Sequence, residues 1–299
     1  MTFTCLQTSV RGLIDIVGVV VVAACPVVAQ DYFDIPAANL PSSAALEGGG
    51  DAAGSRNLTL QGDFGLTSGM RIRAGYAGAR VDSGSVNYVG NTYWAGLNSD
   101  PLAPFSYGAN YELMQRDDGI QSGAAKANLR WRANNWRVAA YPELRSITLT
   151  KTQVTRRNIV RSVGATIRSP GLGVAVAYNG LDSWSFAFRH FAYRYDTDVQ
   201  TLRSHPAFAQ LVTSHVDQSF DASRSGVNVD YAPSWGSVGL EVTRSESAID
   251  HVAARSAAIN LSWDVSRAWT AFAHVGRSRA DGVDATGFAS AGVTWMWDE

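Results

Sequence analysis

Long apolar runs, cysteine and lysine are all scarce in this sequence. After the first thirty residues, no apolar run reaches the roughly 18 residues that a membrane-spanning helix needs, so helical spans are excluded from the rest of the chain. The two cysteines, Cys5 and Cys25, lie close to the start of the chain. Lysine occurs only as Lys126 and Lys151, and the formal net charge of -1 does not give the basic field that nucleic acids require. We therefore expect no nucleic-acid partner.

Segment 1–29 has the features of an export signal. Arg11 supplies a positive start, an apolar stretch follows over 13–24, and small residues end the segment. We predict cleavage before Gln30, which would leave a mature chain without cysteine and therefore without disulfides or thiol chemistry. The alternative is lipoprotein processing, in which Cys25 becomes the modified first residue.

The remaining chain divides into two parts of different composition. Residues 30–69 are rich in Gly, Ser and Pro, and we interpret them as a flexible segment in the periplasm or at a barrel mouth. Within 70–299, segments of about ten residues alternate apolar and polar side chains, and Gly, Pro, Asn or Asp separates them. We expect this second part to form one folded domain.

The last segment, 289–297, carries the alternation most clearly. Ala, Val and Trp occupy one face, Ser, Gly and Thr the other, and Trp295 and Trp297 lie at its end. A transmembrane β-barrel requires such strands, because alternate side chains face lipid and lumen while aromatics collect at the membrane interfaces. A soluble β-sandwich also alternates, but these segments are longer than usual strands and their polar faces carry Arg rather than Lys and Glu. The pattern predicts an all-β fold, an antiparallel transmembrane β-barrel.

The strand count depends on two aromatic or Gly-rich stretches. If 80–122 is one long external loop, the pattern gives about 12 strands, with short connections at 143–145 and 169–170. If 57–65 and 107–116 are strands, the count rises to about 14. We favour the lower number, with a second external loop at 195–222.

In such a barrel the polar faces would line the lumen. Arginines that surround a pore attract anions, because the charges at the constriction set its selectivity. An equally simple interpretation is that these arginines pair with carboxylates and fill the interior of the barrel. The predicted pore-lining residues are Arg71, Arg73, Lys126, Arg130, Arg132, Arg137, Arg189, Asp230 and Glu241.

The whole pattern resembles bacterial outer-membrane β-barrel proteins of the porin-like type. The resemblance rests on the N-terminal signal, the paired strands and the aromatic last strand, although Asp298 and Glu299 stand where such proteins usually end on an aromatic. It implies a location in the bacterial outer membrane and passive diffusion of small polar solutes, with anions as a candidate class. It also implies outer-membrane lipid and the barrel assembly machinery as partners; the oligomeric state stays open.

Two other functions compete with the channel. A binding or structural barrel would act through the external loops 80–122 and 195–222. An outer-membrane hydrolase could use His215 or His251 as a base, although no known catalytic motif surrounds either residue. We expect no enzyme activity, no cofactor and no metal.

Overall fold

The computed structural model describes most of the chain after residue 40. The described residues are 41–67, 69–82, 87–154, 160–196, 220–249, 251–281 and 284–297. The predicted export signal, its cleavage site and Cys25 lie outside them, as do His215 and most of the predicted loop 195–222. Among the described residues there is no helix long and apolar enough to cross a membrane.

The described residues form fourteen antiparallel strands in one closed barrel. Each strand pairs with its neighbours in sequence, and the first strand pairs with the last, with Ser42 opposite Trp297. This closure leaves no unpaired edge in the sheet. The strands are β1 Ser42–Asp51, β2 Arg56–Thr67, β3 Met70–Asp82, β4 Asn87–Ser99, β5 Phe105–Arg116, β6 Ile120–Ala133, β7 Trp136–Val154, β8 Val160–Leu181, β9 Trp184–Tyr193, β10 Asp221–Tyr231, β11 Gly236–Ser247, β12 Ala253–Asp264, β13 Trp269–Ala280 and β14 Thr286–Trp297.

Four of these strands were expected to be irregular chain and two others were each expected to be two strands, so the predicted count of about 12 is wrong. The barrel begins at Ser42 and not at Met70, because β1 and β2 lie within the segment that was interpreted as flexible. The expected external loop 80–122 contains β4 and β5. Glycine and asparagine make these segments look loop-like, yet a glycine on either face is tolerated where both strand neighbours supply hydrogen bonds.

Two other strands are much longer than expected. β7 has 19 residues and β8 has 22, so the connections predicted at 143–145 and 169–170 do not exist. Pro142 and Pro170 suggested breaks, but both side chains are exposed on the outer face. No pairing with β6 is found at Pro142, where the ladder skips from Lys126 to Leu129, as expected for a residue without an N–H donor.

The outer face of the barrel is apolar. Leu60, Leu129 and Val275 expose 52%, 46% and 56% of their surfaces, and most strands carry such residues at alternate positions. A soluble protein would not leave a continuous belt of this size in water. The belt faces lipid, and the intervening side chains point into the lumen.

The two ends of the barrel differ. Eight of the nine tryptophans lie at the end that carries the first and last described residues and the tightest turns, such as Asn134–Asn135 between β6 and β7. Outer-membrane barrels place their termini and short turns in the periplasm, so we call this the periplasmic end and the opposite one the external end. The tryptophans of the periplasmic end are Trp131, Trp136, Trp184, Trp235, Trp263, Trp269, Trp295 and Trp297.

Candidate functional site: the barrel lumen

The predicted arginines near the periplasmic end are on the inner face. On β6, Arg130 and Arg132 alternate with the exposed Leu129 and Trp131, so the two arginines point inward. Arg137, the second residue of β7, is registered directly opposite Arg132. These three side chains form a basic wall, which is the name we use for Arg130, Arg132 and Arg137.

A cavity of about 620 Å³ occupies the periplasmic half of the lumen. Charged side chains line it from opposite sides of the barrel, and amides, hydroxyls and an imidazole lie between them. That volume is within the range of small-molecule sites. Its polar lining includes Gln61, Asp63, Arg73, Arg137, Arg189, Asn228, Asp230, Glu241, Asn260, Thr270, His274 and Thr294.

Three of the predicted basic residues are paired with carboxylates. Arg71 Nε donates to Asp63 Oδ1 at 2.5 Å, and Lys126 Nζ donates to Glu112 Oε2 at 2.7 Å. Arg189 forms a buried ion pair with Glu241. The lumen is therefore less basic than its arginine count suggests, because these pairs cancel much of the charge at short range.

Other basic residues bind neutral oxygens. Arg73 Nη2 donates to Gln61 Oε1 at 3.4 Å, and Arg132 Nη2 donates to the backbone carbonyl of Pro101 at 3.3 Å. These contacts hold the two guanidinium groups on the inner face. Basic side chains of the periplasmic half thus occur on β3, β6 and β7.

A carboxylate faces this positive charge across the lumen. Strands seven apart stand opposite each other in a closed barrel of fourteen, so β10 faces β3. Asp230 of β10 accepts hydrogen bonds from Asn228 Nδ2 at 2.6 Å and from Ser185 Oγ at 3.4 Å. Arg73 and Asp230 lie at the same end of their strands and both line the cavity, which gives the periplasmic half a transverse field.

A second group of charges lies in the middle of the lumen, and sequence reasoning found only Lys126 of it. Glu143 accepts hydrogen bonds from Arg145 Nη2 at 2.9 Å and from the Tyr193 hydroxyl at 3.2 Å. The Arg145 guanidinium also lies over the Tyr193 ring, at 4.6 Å from its centre. We call Glu112, Lys126, Glu143, Arg145 and Tyr193 the central charge cluster.

The rest of this cluster was missed in the sequence because the strand boundaries were placed wrongly. Glu143 and Arg145 fell in a predicted connection, and Glu112 fell in a predicted loop. In the uninterrupted β7 both residues alternate with the exposed Leu144, which places them on the inner face. Asp63 was missed for the same reason, because β2 was interpreted as irregular chain.

The external part of the lumen is lined by apolar side chains. Val81, Ile120, Ile147, Leu149 and Ile167 have at most 1% of their surfaces exposed. All five lie near the external ends of their strands and on the inner face. We call them the external apolar layer. Buried side chains at this level show that the lumen is packed more tightly here than at the periplasmic end.

Polar residues near this layer are held by local contacts. Arg116 donates to Asp118 Oδ2 at 2.8 Å and covers the Tyr88 ring at 3.4 Å from its centre. Beyond β9, the Tyr195 hydroxyl donates to the backbone carbonyl of Asp221 at 2.8 Å, and burial raises the pKa of Tyr195. These contacts tie the external ends of neighbouring strands together.

The surroundings of the described catalytic candidate, His251, contain few groups that could assist catalysis or bind a metal. His251 has a positive φ of 58° and its Nδ1 lies 3.4 Å from Glu246 Oε1, at an exposed turn. In the part of the chain that the structure describes, no group of three or more His, Cys, Asp or Glu side chains could hold a metal ion. The expectation of no enzyme activity stays a prediction.

Similar solved structures are bacterial outer-membrane barrels, although the sequences have diverged widely. The TodX monoaromatic hydrocarbon channel, as a deltaS2 mutant, is 9% identical, with 88% of this chain and 91% of that chain covered and a TM-score of 0.52. OmpT of Vibrio cholerae, an outer membrane protein with loop L8 deleted, is 8% identical over 86% and 98%, with a TM-score of 0.47. The KdgM porin is 12% identical over 85% and 99%, with a TM-score of 0.42.

Sequence comparison adds no family. No protein-family model and no curated protein sequence matches the chain. The shared architecture and the apolar outer face show that the chain is an outer-membrane β-barrel, and they place it in the bacterial outer membrane. Solved structures this distant in sequence carry the fold and not the solute.

Proposed function

We propose that the protein is a passive channel for small polar solutes. The observation that carries this proposal is the polar cavity in the periplasmic half of the lumen. A purely structural barrel gains nothing from such a cavity, because packed side chains would stabilise the interior better. No cofactor takes part, since the concentration gradient drives the solute. Similar architectures include a porin and a hydrocarbon channel.

Selectivity in this proposal is set by the basic wall. Arg132 and Arg137 are direct cross-strand neighbours on the inner face, so their charges add at one level of the lumen. Small anions would be concentrated there, and Asp230 across the cavity would limit the preference. We therefore infer a moderate anion preference and not strict anion selectivity.

The test is electrical. Purified protein in planar lipid bilayers is expected to give discrete current steps with a reversal potential shifted towards the anion under a salt gradient. The double variant Arg130→Glu with Arg132→Glu is expected to shift the reversal potential towards the cation, because four charge units change on the inner face of β6. An unchanged reversal potential would remove these residues from the conducting path.

A matched control uses two arginines on the outer face. Arg168 and Arg194 are exposed at the external end of β8 and just beyond β9, so the same double reversal there leaves the lumen unaltered. The control variant is expected to keep the wild-type reversal potential. An equal shift in both variants would mean that total charge, and not the basic wall, determines selectivity.

A closed binding barrel is the second candidate function. The external apolar layer favours it, because these side chains are almost fully buried and leave little width at that level. In this case the periplasmic cavity would hold a ligand without passing it on. A folded protein that gives no current steps at any voltage would contradict the channel and favour this alternative.

A further inference from the structure

Four arginines on three adjacent strands form a patch on the outer face at the external end. Arg255 of β12 is registered opposite both Arg244 of β11 and Arg279 of β13. Arg277 lies two residues before Arg279 on the same face, and all four side chains are exposed. They share their face with exposed residues such as Ile259 and Val275. The patch therefore lies where the lipid-facing belt meets the outer surface of the membrane.

The charges of this patch are not balanced within the described part of the chain. None of the four arginine side chains forms an ion pair or a hydrogen bond with another described residue. Glu246, two residues after Arg244 on β11, lies 3.4 Å from His251. Three of the arginines and one carboxylate, that of Asp284, line a common hollow, so positive charge is in excess there. Like charges directly opposite each other on a sheet are destabilising, so this arrangement favours an external anion.

The surface around the patch is both charged and apolar. A hollow of about 490 Å³ is lined by Arg255, Arg277, Arg279 and Asp284, with Val242 and Ala257 among its apolar residues. Below it the exposed side chains of β12 and β13 continue into the lipid-facing belt. A ligand that fits must carry negative charge at one end and hydrocarbon at the other.

A second outward arginine pair lies farther around the barrel, at the same end. Arg56 of β2 is registered opposite Arg80 of β3, and Arg56 is also opposite Gly50 of β1. Gly50 in turn is opposite Ala289 of β14, and Ala289 is opposite Val275 of β13, two residues before Arg277. Gly50 and Ala289 thus lie between the two arginine groups and leave the surface there flat. Adjacent strands are about 4.8 Å apart and residues along a strand are about 3.4 Å apart, so the backbones of Arg56 and Arg277 are separated by about 16 Å.

We propose that these outward arginines bind a phosphorylated lipid headgroup of the outer leaflet. Guanidinium groups bind phosphate through paired N–H donors, and the apolar surface below accepts the acyl chains. The two arginine groups on either side of a flat surface fit a large headgroup that carries more than one phosphate. The site lies outside the lumen and is independent of whether the barrel conducts.

The test measures lipid binding and thermal unfolding of the full barrel in an uncharged detergent. Lipid A with two phosphates is the probe, and lipid A with its phosphates removed and inorganic phosphate are the comparisons. Intact lipid A is expected to raise the unfolding temperature of the wild type, whereas neither comparison does. Equal stabilisation by dephosphorylated lipid A would overturn the proposal. Equal stabilisation by inorganic phosphate would make this a free-anion site and would also overturn it.

Variants locate the site. The triple variant R244Q/R255Q/R279Q is expected to bind lipid A at least about tenfold more weakly, because charge-assisted hydrogen bonds are lost. Without lipid it is expected to be as heat-stable as the wild type or more so, because repulsion is relieved, and this shows that it folds. Arg168→Gln, a single exposed arginine on β8, is the control and should bind normally.

Two outcomes oppose the assignment of the site. Unchanged lipid A affinity in the triple variant would overturn it, and so would an equal loss of affinity in Arg168→Gln. If the triple variant does not fold, the single variant Arg255→Gln decides. It removes the charge at the centre of the patch and is expected to weaken binding severalfold. Wild-type affinity in a folded Arg255→Gln variant would contradict the proposal.

Discussion

The periplasmic half and the external half of the barrel are built from the same strands but have different interiors. In the periplasmic half, Arg73 and Asp230 line an open cavity. From the middle of the lumen to its external end, the central charge cluster is interlocked and Leu149 has no exposed surface. Charged side chains line a cavity in the first half, whereas those of the cluster are packed against one another. The difference predicts that substitutions will affect selectivity at one end and stability at the other.

The largest effect is expected in the central charge cluster. In Glu143→Ala, Arg145 loses its carboxylate partner and Lys126 loses a nearby negative charge. Removing one partner of a buried ion pair costs about 3–5 kcal/mol. The free energy of unfolding, measured by denaturant titration in detergent, is expected to fall by that amount. Glu143→Gln is the control, since it keeps the shape and the hydrogen bonds and should lose less. A loss below about 1 kcal/mol in Glu143→Ala would show that the cluster is solvated.

The next effect is expected in the external apolar layer. Leu149→Ala is expected to lower the free energy of unfolding by about 2–3 kcal/mol, because it leaves a cavity at a fully buried position. The neighbouring Thr150 is exposed on the outer face, so Thr150→Ala should stay within about 0.5 kcal/mol. If the layer is also the narrowest part of the channel, the single-channel conductance of Leu149→Ala will rise. Equal stability losses in both variants would contradict tight packing at the external end.

The smallest change in stability is expected in the periplasmic half. Asp63→Asn removes the negative partner of Arg71, whose side chain is 12% exposed while that of Asp63 is 30% exposed, and it should cost no more than about 1 kcal/mol. The anion preference is expected to increase, because Asp63 lines the cavity and its negative charge is lost. A reversal-potential measurement checks this.

The control for that change is a charge outside the lumen. Asp117 is exposed at an external turn, and an asparagine there can still accept the hydrogen bond from the Val89 N–H. Asp117→Asn should leave the reversal potential where it is. A large loss of stability in Asp63→Asn, with no change in selectivity, would reverse the contrast between the two halves.

Strand identity could be predicted only where side-chain alternation was unbroken. β14 is such a case, and its Val293 and Trp295 are exposed on the outer face as the pattern predicts. β1 was missed because three consecutive glycines hide its alternation, and β7 was divided at Pro142. β1 is stabilised by pairing with β14 at the other end of the chain, and β7 by its long ladder with β8, and this pairing outweighs the local signals of glycine and proline.

The lumen was predictable to a smaller extent. Alternation placed Arg130 and Arg132 on the polar face of β6, and both are inward. It could not indicate that Arg71 pairs with Asp63 or that Lys126 pairs with Glu112, because those partners lie on strands that were not recognised. Several of the charges that were expected to line the lumen are therefore paired with carboxylates, and the Arg-lined pore stays a prediction.

In the strands where alternation is unbroken, the sequence alone settled which side chains face lipid and at which end the tryptophans collect. Both properties follow from the two-residue period of a strand, which neighbouring residues set. The tertiary structure alone decided the number of strands, the closure of β1 on β14 and the partners of each lumen charge. Those features depend on cross-strand contacts between residues far apart in the chain, and a period within one strand carries no information about its partner.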